Sequence, residues 1–152
     1  MFKTFFINAF RELFLYHHGS LEFRAKLFAA VIAAKGEMNK CEEKLLQDIS
    51  HRIYNETTRA ASFFLATKEY IDKVIANNGL DIDGLIKEVL RDLSDKPRYA
   101  KKIDTVMLSE LLSCSENEDD RIYQEKIIAL FTREKLRYLT TDETIAMVQE
   151  TA

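Results

Sequence analysis

The sequence predicts an all-α fold, a compact bundle of seven or eight helices, and three observations lead there. The chain has one proline and four glycines in 152 residues, too few turn formers for a sheet of many short strands. Its apolar residues recur at three- and four-residue spacing along nearly its whole length. The composition, 47% hydrophobic and 31% charged, is that of a folded chain and not of a disordered one. A chain of this length buries roughly 68–70% of its unfolded surface, so a core needs no disulfide or metal to hold it. One domain over residues 1–152 is expected, with an apolar N-terminal helix in 1–19, a core in 20–138 and a C-terminal helix in 139–152.

Each element has a local reason. Phe2, Phe5, Phe6, Ala9, Phe10, Leu13 and Phe14 fall on one broad helical face of residues 2–16, with Lys3, Asn8, Arg11 and Glu12 opposite. His17-His18-Gly19 ends that helix, and Ser20 is placed to cap the next. Residues 21–35 bring Leu21, Leu27, Phe28, Val31 and Ile32 together, and Gly36 stands where a C-terminal glycine belongs. Asn39-Lys40-Cys41-Glu42 fits a capping box, opening a helix to about Tyr54 with Cys41, Leu45, Leu46, Ile49 and Ile53 facing inward. A helix over 58–76, with a break expected near Thr67, ends at Asn77-Asn78-Gly79. Asp81 or Asp83 caps a helix carrying Leu85, Ile86, Val89, Leu90 and Leu93. Pro97 starts one helix to Ser113 through Ile103, Val106, Met107 and Leu111. After Ser115-Glu116-Asn117-Glu118 comes a helix through Ile122, Ile127, Ile128 and Phe131, then a short one from Thr140 or Thr141.

Two of these hairpins echo each other. Leu27, Phe28, Val31 and Ile32 match Met107, Leu108, Leu111 and Leu112 at an offset of 80, and Glu43, Lys44, Leu45 and Leu46 match Glu125, Lys126, Ile127 and Ile128 at 82. The second turn is therefore expected to be two residues longer. Two copies are too few for a solenoid and predict a closed pair of hairpins.

Charge and motifs exclude most function classes. Net charge −3 and a pI near 5.7, with no Lys/Arg run beyond two, speak against nucleic acid as a partner. The longest apolar run, Leu27 to Ala34, is eight residues where a membrane span needs about 20. The N-terminal stretch carries Arg11 and Glu12 and has no small-residue cleavage site, so it is not expected to be a signal peptide. The two cysteines, Cys41 and Cys114, follow no CxxC pattern and are expected to be reduced thiols in a cytoplasmic protein. No phosphate-binding glycine loop, HExxH or GxSxG is present, so no catalytic residue is assigned. Asp48-Ile49-Ser50-His51 is an isolated approximation to a di-iron motif. Cys41 and His51 share a helix but lie about 15 Å apart along its axis.

Three features remain as candidates. Glu116, Glu118, Asp119, Asp120 and Glu125 form an acidic turn able to hold calcium or magnesium weakly, without EF-hand spacing. Their bland alternative is a solvated turn complementing a helix dipole. Asp81-Ile82-Asp83-Gly84 fails the same EF-hand test, and His17-His18 are exposed linker histidines. Residues 1–35 carry a net charge of +3, so Phe2, Phe5, Phe6, Phe10 and Phe14 offer an interaction face for a protein groove or an anionic membrane, or the spine of the domain's own core.

The stretch Ala33-Ala34-Lys35-Gly36-Glu37-Met38-Asn39-Lys40-Cys41-Glu42, after RAKLFAAVI, resembles the TerB-like domains, a family named for tellurite resistance that includes the N-terminal region of DjlA-type co-chaperones. Ala34, Gly36, Met38 and Glu42 carry the match; Lys35 stands where the family has Asp, which puts a positive charge in place of a metal ligand. Glu118, Asp119, Ile122 and Glu125 approximate a second copy, with Asp120 in place of glycine. The resemblance spans residues 20–138. It implies an all-helical, non-enzymatic, stress-related protein-interaction module, cytoplasmic or peripheral to the inner membrane, with a divalent ion at the acidic turns. No His-Pro-Asp tripeptide is present, so no J-domain is expected here.

Overall fold

The computed structural model describes residues 19–76 and 81–139, and over these the chain is all-α. Six α-helices and two 3-10 helices are found among the described residues: α1 (Gly19–Ala33), α2 (Lys40–Ile53), α3 (Thr57–Ile75), α4 (Ile82–Asp95), a 3-10 helix (Pro97–Lys102), α5 (Thr105–Glu110), a second 3-10 helix (Leu111–Cys114) and α6 (Glu118–Tyr138). The helices expected in 2–16 and from Thr140 lie outside the described residues, as does the Asn77-Asn78-Gly79 stop.

The centre of the bundle is α1. It is buried on every side, from Leu21 and Phe23 through Ala29, Ala30 and Val31 to Ala33. A helix apolar all round belongs inside others, and α1 packs against α3, α4, α5, α6 and the first 3-10 helix. Its small residues Ala25, Ala29 and Ala30 allow close approach, while Phe28 meets Phe63 of α3 edge-on at 5.5 Å. Lys26 is the one lysine carried inside on α1; Asp92 holds its ammonium at 2.8 Å and Glu88 at 3.5 Å.

Several boundaries differ from expectation for identifiable reasons. Ser20 lies inside the first turn of α1 rather than ahead of it. No break occurs at Thr67, whose hydroxyl donates to the Phe63 carbonyl at 2.8 Å and so spends its polar group within the helix. The single helix expected from Pro97 to Ser113 is three pieces. Asp104 accepts from the Met107 amide at 3.0 Å and starts α5 afresh. The new start rotates the register, so Val106, expected inside, is 77% exposed. Asp104→Ala is predicted to cost about 1 kcal/mol, the usual worth of an N-cap, measured by urea denaturation.

The paired hairpins persist with one adjustment. Leu108 and Leu111 are buried like their counterparts Phe28 and Val31. The second connection, however, is residues 115–117, shorter than the first at 34–39. The extra residues lengthen the start of α6 instead of the turn.

Candidate functional site

The two hairpin turns meet, and the resembling motif lies at their junction. The first turn is set by Gly36, whose φ of +93° suits a residue without a Cβ; its amide donates to the Ala33 carbonyl at 2.9 Å. Ala34 and Met38 pack on the core as partly buried residues. Asn39 then opens α2 with the expected capping box. Its Oδ1 accepts from the Glu42 amide at 2.9 Å, and Glu42 Oε1 accepts from the Asn39 amide at 3.1 Å.

Glu42 does more than cap. Its side chain is fully buried, and Lys35, whose side chain is 7% exposed, places Nζ 2.8 Å from Oε1. The lysine that replaces the family's acid is therefore the internal counter-ion of the motif glutamate. On the other side lies Gln124 of α6, also fully buried. Its Nε2 donates to the Val31 carbonyl at 2.9 Å, satisfying an acceptor in the last turn of α1 that the helix itself cannot. The Gln124 amide lies against the carboxyl of Glu42 and favours its charge, without closing a full hydrogen bond to Glu42 Oε2. Burial outweighs these favourable neighbours: desolvation raises the Glu42 pKa above 4.5, against the opposing effects of Lys35, the Asn39 amide and Gln124.

The outer side of the junction is covalent. Cys41 and Cys114 form a disulfide with Cα atoms 5.5 Å apart, which corrects the expectation of two reduced thiols. Cys41 is exposed in the first turn of α2, not inward-facing, and Cys114 is buried at the end of the second 3-10 helix. The 73-residue separation said nothing about distance, because the fold sets the two turns side by side. Asn39 adds a further link, donating from Nδ2 to the Cys114 carbonyl at 3.0 Å. At the far end of α2, Arg52 reaches Glu110 through two hydrogen bonds of 2.8 and 3.1 Å. That pairing, ahead of the contribution of Asp48, raises the Arg52 pKa.

The acidic turn lies in the first turns of α6. Asn117 caps that helix, accepting from the amides of Asp119 and Asp120 at 2.8 and 3.2 Å. Glu116, Glu118, Asp119 and Glu125 are exposed and Asp120 is half-buried; Arg121 lies 4.0 Å from both Glu118 and Glu125. The fold does not gather these five carboxylates, and among the described residues no group of three or more His, Cys, Asp or Glu side chains converges as a metal site. The phenylalanine face of Phe2, Phe5, Phe6, Phe10 and Phe14 lies outside the described residues. His51 is exposed on the wall of a 500 Å³ hollow between α2 and α3, beside Asp48 and Phe64.

Gln124 was the residue that sequence reasoning passed over. The offset of 82 extends by one position to pair Glu42 with Gln124 rather than with the exposed Glu125. The offset of 80 likewise pairs Ala34 with Cys114, which places that cysteine at the end of its own hairpin's first helix. No family model, curated protein or solved structure matches this chain. Among the described residues, no helix is long and apolar enough to cross a membrane.

Proposed function

We propose that this chain is a non-enzymatic protein-interaction module of TerB type, acting in a stress-related assembly in the cytoplasm or beside the inner membrane. The observation that carries the reading is the use made of the motif residues. Gly36, Met38 and Glu42 are spent on shaping and packing the first turn, and Lys35 supplies the positive charge that an ion would otherwise bring there. What faces outward is fit for contact rather than chemistry. Val106 is 77% exposed on α5, and Ile122 and Tyr123 are about two-fifths exposed beside the acidic start of α6. Apolar side chains rimmed by charge are the usual dress of a protein interface.

A second reading is favoured by Glu118, Asp119 and Asp120 at one helix start: a module that orders on binding a divalent cation. One experiment separates the two. Photo-crosslinkers at Tyr123 and Val106 are compared in lysate with melts of the pure chain in millimolar calcium, magnesium, manganese and zinc. The interaction reading predicts a discrete crosslinked partner, lost in Val106→Glu, and a flat melting temperature. A rise of several degrees that Asp119→Asn/Asp120→Asn abolishes would move the assignment to the cation.

A further inference from the structure

We propose that the Cys41–Cys114 disulfide is a thiol-exchange site, opened by a small thiolate that enters from the surface hollow above it. The inference does not depend on the interaction reading. Three features of the junction argue for it. The bond is asymmetric, with Cys41 exposed and Cys114 buried, so an incoming sulfur meets Cys41 first. Both cysteines border a hollow of about 370 Å³, with Lys44, Leu45, Asp48 and Ser113 completing its wall; that volume is at the small-molecule end of binding pockets. Neither cysteine belongs to the main hydrophobic cluster.

Local electrostatics help the exchange along. Cys41 is the second residue of α2, a helix of 14 residues, and the helix start favours negative charge on sulfur. The capping box engages the amides of Asn39 and Glu42, which leaves those of Lys40 and Cys41 without an acceptor inside the helix. Lys40 and Lys44 add positive charge on the same turns, against Glu43 and Asp48.

The chemistry balances with two equivalents of thiol. The first thiolate attacks Cys41 Sγ; a new S–S bond forms there, the bond to Cys114 breaks, and its electron pair leaves on Cys114 Sγ, which takes a proton from water. A second thiolate attacks the outer sulfur of the mixed disulfide, giving the external disulfide and a free Cys41 thiolate. The protein disulfide is reduced by two electrons and the two thiols are oxidised. Opening the bond leaves the hydrogen bond from Asn39 Nδ2 to the Cys114 carbonyl between the two turns, and Leu111 keeps the second 3-10 helix anchored in the core.

The test uses reduced glutathione on the oxidised full chain, with alkylation of freed thiols and mass mapping over time. The predicted rate is proportional to glutathione concentration and unchanged by urea below the unfolding transition. With oxidised glutathione, Cys114→Ser should hold a lasting mixed disulfide at Cys41, whereas Cys41→Ser should leave Cys114 unmodified until the chain unfolds. Reduction only where urea unfolds the chain would overturn the proposal, as would equal modification of Cys114 in the native Cys41→Ser variant. Should Cys114→Ser not fold, the urea dependence of the wild type decides alone.

Discussion

Replacing Cys41 and Cys114 together by serine is expected to lower the stability of the oxidised chain by about 4 kcal/mol. The cross-link closes a loop of 73 residues in the unfolded chain, and the chain-entropy model gives about that figure for a loop of such length. For a protein of this size the melting temperature falls by roughly 12 °C. The folded state changes little, because the core cluster contains neither sulfur. The change should therefore show in unfolding equilibria, with far-UV circular dichroism preserved. Reduced wild type should melt with the variant. A difference below about 1 kcal/mol would mean that the two turns stay close in the unfolded ensemble, so that the bond removes little entropy.

Replacing Glu42 by alanine is expected to cost about 3 kcal/mol, the lower end for breaking a buried ion pair by removing one partner. Lys35 loses the carboxylate 2.8 Å away and has little water to replace it. The Asn39 amide loses its acceptor in the same step. Glu42→Gln keeps an acceptor for both and should cost less than half as much. The pH dependence follows from the direction of the shift. Glu42 titrates higher in the folded chain than its ordinary 4.5, so its contribution is fully present below pH 4.5 and is lost as pH rises through the folded value. Relative to Glu42→Gln, the wild type should therefore lose stability as pH rises from about 4.5. Denaturation of both proteins across that range would measure it, and a wild-type advantage that grows with pH would mean that folding lowers the Glu42 pKa instead of raising it.

Much of the fold was legible from local chemistry. The capping box at Asn39 and Glu42, the cap at Asp81, the glycine at 36 and the inward Leu85, Val89 and Leu93 all follow from nearest neighbours along one helix. Tertiary pairing escaped the same reasoning. Gln124 looks like a surface residue of a charged helix, and only the meeting of α6 with the end of α1 makes it a buried donor to Val31. Lys35 looked like a lost ligand because its partner, seven positions away, becomes visible only when the turn folds back. Cys41 fits an inward stripe with Leu45, yet the buried face of α2 runs through Glu42, Leu46, Ile49 and Ser50 and leaves Cys41 exposed. The break at Asp104 competes with an unbroken apolar pattern, and a short polar cap won.

Gln124 of α6, hydrogen-bonded to the last turn of α1, ties the two hairpins into one unit beside the buried Lys35–Glu42 pair. Hydrogen exchange of the oxidised chain, comparing wild type with Gln124→Ala, tests it most directly. The amides of Glu42 and Glu43, hydrogen-bonded to Asn39, are predicted to lose protection more than those of Leu85 and Val89 in α4, although the substitution lies on a different helix. Equal loss at all four amides, or loss confined to α6 and the end of α1, would mean that Gln124 does not hold the first turn in place.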